Sequence, residues 1–162
     1  MLAALPDLAD VEITRRLPDR LEIRGVPRRP VALWRASDGV MLVDGRGTPY
    51  RRLGRGEAAD LPLVRAPRER LDEAVRLMRG LRRLDARRLK RLSEVIAETD
   101  GWRLDFSRGE AWLLPAGPAV ERRIRRILAL LETRRWRRDA WQVDARQADR
   151  WFIRKSRLGG VV

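Results

Sequence analysis

Four carboxylates are the side chains of this sequence best suited to acid–base work: Asp44, Asp100, Asp105 and Asp144. Two of them at working distance could divide general-acid and general-base roles, as paired carboxylates do in glycoside hydrolysis. Three of the four sit in or beside apparent turns, and nothing in their spacing brings two together. Chemistry based on histidine or cysteine is closed to this chain. Histidine is absent, which removes the commonest general base and the commonest metal ligand. Cysteine is absent too, so no thiol nucleophile, disulfide or thiolate-held metal can form. Ser-His-Asp and Cys-His mechanisms are excluded with them. Gly45, Gly47, Gly54 and Gly56 crowd together in the manner of a phosphate cradle. Neither the G-x-x-x-x-G-K-S/T pattern nor a strand-GxGxxG-helix pattern is present, and hairpin turns account for these glycines. The expectation is a protein without catalytic activity, cofactor or small-molecule substrate.

The 162 residues are 44% hydrophobic, enough for a packed core. Net charge is +14, a surface that attracts polyanions. The positive charge is almost all arginine, with lysine only at 90 and 155, and it is spread along the chain. A solvated basic surface explains it better than a basic nucleic-acid-binding module, the competing explanation. No RNP, helix-turn-helix or zinc pattern supports such a module, and the tryptophans fall in strand alternation instead of forming a stacking platform. No stretch approaches the ~20 apolar residues that span a bilayer, and Met1–Ala9 lacks the features of a signal peptide.

The elements follow from periodicity. Val11 and Ile13, then Leu21 and Ile23, alternate with polar residues around a Leu17-Pro18-Asp19-Arg20 turn, which predicts a hairpin. Gly25–Pro30 carries two prolines and reads as a connector. Val31–Trp34 and Val40–Val43 flank Asp38-Gly39, a hairpin signal, and Leu61–Val64 is a further short strand. Pro67 opens a helix whose Leu71, Val75, Met78 and Leu81 form one apolar stripe. Residues 89–99 stay open: Leu89, Leu92 and Ile96 fit a helix, whereas Val95-Ile96 before Asp100-Gly101 fits a strand, and periodicity alone slightly favours helix. Trp102, Leu104 and Phe106 alternate cleanly, turn at Ser107–Gly109 and return through Ala111–Leu114. Pro118 opens a second helix, with Val120, Ile124, Ile127, Leu128 and Leu131 facing inward and Arg122, Arg123, Arg125 and Arg126 mostly outward. Trp141 with Val143, and Trp151 with Ile153, mark two last strands. The fold class is α+β: a mixed or antiparallel sheet backed by two long amphipathic helices, with a hairpin in front.

A set of fragments in fixed order carries more. Arg15–Leu21 reads R-x-x-P-x-x-L. Leu21–Ala32 ends in Pro30-Val31-Ala32, and Leu42-Val43-Asp44 leads to Tyr50. Leu61-Pro62-Leu63-Val64, a tryptophan-led hairpin at Trp102 and a closing Val143-Asp144-Ala145-Arg146 complete the set. Their order and spacing resemble the extracytoplasmic part of the FtsQ/DivIB bacterial cell-division family, over nearly the whole chain. Gly25 and Pro27 depart from the family's valine and glutamate, and Gln147 stands where an aromatic is common.

The resemblance implies a partial POTRA domain at 1–29, a β-domain at 30–154 and a loose basic tail at 155–162. It favours a strand from about Leu92. It sets Met1 near the end of the second POTRA helix, so that a cytoplasmic tail, one membrane helix and the first half of the POTRA unit would lie upstream. It implies a non-enzymatic divisome scaffold, single-pass in the inner membrane with this portion periplasmic, acting at the midcell septum. Its partners would be FtsB/FtsL-type proteins, recruited by β-strand addition at the last strand. Carried over residue by residue, that edge comprises Arg146, Gln147, Asp149, Trp151 and Ile153. Arginine and tryptophan are also the residue types that carry interface energy.

Overall fold

The structure, a computed structural model, describes residues 7–57, 59–136 and 139–156. A two-stranded ribbon comes first, β1 (Leu8–Arg16) against β2 (Arg20–Pro27), and stays apart from the main sheet. Of the apolar side chains that predicted it, Ile13, Leu21 and Ile23 are each more than half exposed and Val11 is partly buried. The ribbon meets the rest of the chain through ion pairs. Arg28 lies 2.5 Å from the buried Asp44 and also donates to the Leu8 carbonyl, and Arg51 reaches Asp7 at 3.1 Å.

β3 (Pro30–Ala36), β4 (Gly39–Asp44) and β5 (Pro49–Arg52) form a meander, joined by the expected Asp-Gly turn and by a turn that Asp44 caps. Its Oδ1 accepts from the backbone N–H groups of Arg46 and Thr48. β6 (Leu63–Arg65) runs parallel to β3. A 3-10 turn at Arg68–Arg70 then leads into α1 (Leu71–Leu84), and the four-residue α2 (Ala86–Leu89) follows. β7 (Leu92–Glu98), β8 (Gly101–Phe106) and β9 (Ala111–Pro115) form a second meander, and α3 (Val120–Glu132) crosses over to β10 (Trp141–Asp144) and β11 (Phe152–Lys155). The nine strands lie in the order β11-β10-β9-β8-β7-β6-β3-β4-β5, with parallel pairs where a crossover intervenes.

The helix-favouring periodicity at 89–99 has a definite origin. Leu89, the first residue of the helical pattern, ends α2, and a β-bulge between Leu92 and Glu94 then puts Leu92 and Val95 on the same face of β7, a three-residue spacing that breaks strand alternation. Leu92–Glu98 is a strand, as the family resemblance implied.

Both long helices pack on one face of the sheet. Leu71, Ala74, Val75, Met78 and Leu81 of α1, and Ile124, Ile127, Leu128 and Leu131 of α3, close over Val64, Val95, Trp102, Leu104, Trp112, Leu114 and Val143. The Trp102 indole is fully buried. Its Nε1 donates to Glu73 at 2.9 Å, and the Arg70 guanidinium lies 4.2 Å from the ring centroid. Beside it, Gly101 allows β8 and β9 to approach: a Cβ there would fall 1.9 Å from the Leu114 carbonyl oxygen. Gly101→Ala should therefore force the strands apart and cost about 1–3 kcal/mol, as overpacking typically does. Chemical denaturation measures this; an unchanged midpoint would mean the strands part freely at this end.

Candidate protein-docking edge

A nine-stranded sheet has two rims, and this one treats them differently. β5 carries Pro49, Arg51 and Arg52, and both arginines are pinned, Arg51 by Asp7 and Glu57 and Arg52 by Asp38. Proline and charge are what natural edges use to refuse a further strand. β11, at the other rim, also carries charge, at Arg154 and Lys155, but has no proline and presents Phe152, which is 58% exposed.

The hydrogen-bond parity of β11 follows from its neighbours. Ser156 donates its N–H to the Ala140 carbonyl at 2.8 Å, so even-numbered residues of β11 turn their main-chain groups toward β10 in this antiparallel pairing. Ala145 donates to the Leu113 carbonyl at 2.9 Å, which assigns the odd-numbered residues of β10 to β9 and leaves the even ones for β11. Ile153 and Lys155 therefore aim their N–H and C=O groups away from the sheet. Among the described residues no strand lies beyond them.

Side chains follow the same alternation. Ile153 pairs with the buried Val143 on the helix-covered face and packs partly against the core. Phe152 and Arg154 lie on the open face, where Arg154 Nε donates to Gln142 Oε1 at 2.6 Å. A shallow groove of about 490 Å³ runs along that face, between Arg103, Leu113, Gln142, Phe152 and Arg154.

Of the residues expected at the site, Trp151 and Ile153 flank the start of the strand and are half-buried. Gln147 and Asp149 are exposed in the loop from β10 to β11. Arg146 is already engaged: its Nη2 lies 2.7 Å from Asp144 Oδ2, its Nε donates to Asp144 Oδ1 at 3.0 Å, and its Nη1 is 3.3 Å from Asp100 in the β7–β8 turn. It ties the end of β10 to a turn two strands away. Phe152, Arg154 and Lys155 are not among the expected site residues: alternation with Trp151 and Ile153 implies Phe152 and Arg154 on the opposite face, and residue 155, read from the sequence as the start of the basic tail, closes β11.

The remaining candidates for chemistry are accounted for. Each of the four carboxylates contacts arginine: Asp44 with Arg28, Asp105 with Arg103, and Asp100 and Asp144 with Arg146. Among the described residues no cluster of acidic groups could hold a metal. Trp102 and Trp112 are fully buried and the other tryptophans are half-buried, so no aromatic platform faces a nucleic acid.

The Arg146 guanidinium holds the Asp144 carboxyl below the ordinary aspartate value of 3.8, against the opposing effect of burial. Its folded value thus lies below the unfolded one, so the pair stabilises the fold at every pH above 3.8. That contribution disappears only as acid titrates the folded carboxylate below it. The Arg146 amide, which donates to Asp144 Oδ1 at 3.2 Å, should keep its NMR position down to the ordinary aspartate value and shift only beneath it. A shift centred at or above that value would show the pair to be weak.

The family model described as "Cell division protein FtsQ/DivIB, C-terminal" matches residues 32–146. The chain is 29% identical over 93% of its length to the cell division protein FtsQ of Myxococcus fulvus, and 30% identical over 93% of its length to that of an Anaeromyxobacter species. It is 35% identical to the FtsQ of Alcanivorax borkumensis over 41% of its length. It spans 57% of the length of the first and second of these relatives. Among the described residues no helix is long and apolar enough to cross a membrane. The chain belongs to the FtsQ/DivIB family of cell division proteins, which are not enzymes.

Proposed function

We propose that this chain is the docking part of a divisome scaffold, and that the outer rim of β11 captures an extended segment of an FtsB/FtsL-type partner by strand addition. The observation that carries this reading is the outward aim of the Ile153 and Lys155 main-chain groups at the end of the sheet. Unpaired N–H and C=O groups in a row are a template for another strand. The contrast with the blunted β5 supports the choice of rim. In this reading Ile153 and Trp151 provide an apolar ridge on one face of the added strand, Phe152 and Arg154 meet it on the other, and Gln147 and Asp149 border its end. Arg146 acts mainly by holding β10, and its half-exposed guanidinium stays within reach of a partner carboxylate.

The domain division belongs to the same proposal: residues 1–29 as the end of a POTRA unit, 30–154 as the β-domain and 155–162 as a tail. Lys155 lies in β11, and residues 157–162 fall outside the described residues. The complete protein would be a single-pass inner-membrane protein, with this part in the periplasm at the division septum.

Titration calorimetry of this chain with the soluble segment of the FtsB-type protein from the same organism tests the reading. Saturable binding with a modest salt dependence is expected, because main-chain bonds supply the affinity. An absence of heat, or affinity falling about a thousandfold or more between low and moderate salt as polyelectrolyte contacts do, would contradict it.

A further inference from the structure

α3 buries an arginine that stability alone does not call for. Arg123 is only 5% exposed, although its neighbours Arg122, Arg125 and Arg126 lie in solvent. Among the described residues no carboxylate pairs with it. Its Nη1 donates to the Ala148 carbonyl at 2.9 Å, and its buried Nε has no hydrogen-bond partner. A guanidinium out of water without a counter-charge is costly, and a packed apolar side chain in the same space is generally neutral or better.

What Arg123 holds gives that cost a purpose. Ala148 is in the middle of the loop from β10 to β11. Residues 147–150 of that loop are exposed, and among the described residues the Arg123 bond is the one hydrogen bond reaching them from another element. Trp151, the residue just before β11, lies under two guanidinium groups of α3: Arg123 at 5.9 Å and Arg126 at 5.4 Å from the ring. β11 is four residues long and pairs on one side only. A strand so short, with half its main-chain groups unpaired, frays readily unless its root is fixed.

We propose that Arg123 is a positioning residue for the docking rim: by gripping the Ala148 carbonyl and the Trp151 ring, it anchors the root of β11 and keeps Ile153 and Lys155 aligned for an incoming strand. The proposal rests on the reading of β11 as the capture site. The sequence could not have suggested it, because the loop contact lies 25 residues away from Arg123 along the chain.

The test compares the whole chain with its Arg123→Met and Arg123→Lys variants. Methionine refills the space without charge; lysine retains a donor for the Ala148 carbonyl. Three quantities are read: the thermal midpoint, amide exchange at Phe152, Arg154 and Ser156, and affinity for the FtsB-type segment. Arg123→Met should leave the midpoint unchanged or higher. It should speed exchange at those three amides and weaken capture, each about tenfold or more, the usual scale for losing a charge-assisted bond. Arg123→Lys should bring capture back to within about threefold of the parent, since the charged donor is kept. Unchanged exchange at Ser156 in Arg123→Met would overturn the proposal, as would capture equal to the parent. So would a lowered midpoint with exchange accelerated across every strand, which would make Arg123 a plain core support. If the parent chain itself captures nothing, strand capture is the reading that fails, and exchange at Ser156 still decides the anchoring by itself.

Discussion

Lys155→Pro is expected to abolish most of the capture of a partner strand, by about tenfold to a hundredfold, while leaving the fold unchanged. Proline removes one donor and places its ring where the partner backbone would approach. In β11 the affected N–H is one that aims outward, because even-numbered residues make the bonds to β10. No main-chain bond within the protein is lost with it, the exposed Lys155–Asp139 ion pair that goes with the side chain is worth little, and Arg154 before it is already extended, the conformation that precedes proline comfortably. One main-chain bond and its immediate neighbour are together worth about 1.5–3 kcal/mol in affinity, which sets the expected range. Arg154→Pro is the matched control. It removes an inward donor to Gln142 and should loosen β11 itself. Calorimetry with both variants separates the cases. Capture by Lys155→Pro equal to the parent would mean that the partner does not pair with this rim.

The largest effect on stability is expected at Glu110, well away from the rim. This carboxylate is 4% exposed and serves three donors. Oε1 accepts from Arg88 and from the Trp112 indole, the latter at 3.0 Å, and Oε2 pairs with Arg91 at 3.1 Å. It thereby fastens α2 and the approach to β7 onto β9. Arg88 in turn lies 5.2 Å from the Trp112 ring, and that ring packs against Phe106 with centroids 4.7 Å apart. Glu110→Ala would leave the buried Trp112 indole N–H without an acceptor and the mostly buried Arg88 guanidinium with only its longer contact to Asp85, 3.4 Å from Nε. Breaking a buried pair in this way costs about 3–5 kcal/mol. Glu110→Gln keeps an acceptor for Trp112 and should cost less. Urea denaturation at neutral pH gives both values; a loss below about 1 kcal/mol for the alanine variant would place the group among ordinary surface pairs.

The parts of the fold that repeat a simple period were readable from residues. Trp102, Leu104 and Phe106 alternate because β8 is covered on one face, and α1 announced itself through Leu71, Val75, Met78 and Leu81. Where the period broke, the reading strayed: the bulge at Leu92–Glu94 disguised a strand as a helix, and only the ordered family motifs corrected it. Arg123 strayed for a different reason. It lies three residues after Val120 and four before Ile127, squarely on the apolar stripe, but its charge argued for solvent. The ion pairs of Arg146 with Asp100 and of Glu110 with Arg88 and Arg91 join residues 46, 22 and 19 apart, a closeness that only the folded sheet creates. The rim itself was half legible. Trp151 and Ile153 were found by alternation, but which of β11's main-chain groups point outward depends on the register with β10.

Residue-resolved amide exchange of the chain, alone and with the FtsB-type segment bound, addresses the rim most directly. The amides of Ile153 and Lys155 should exchange freely in the isolated chain and become strongly protected in the complex, while Phe152 and Arg154, already bonded to β10, change little. Protection of Ile153 and Lys155 before any partner is added, or their continued rapid exchange once it is bound, would contradict strand addition at β11.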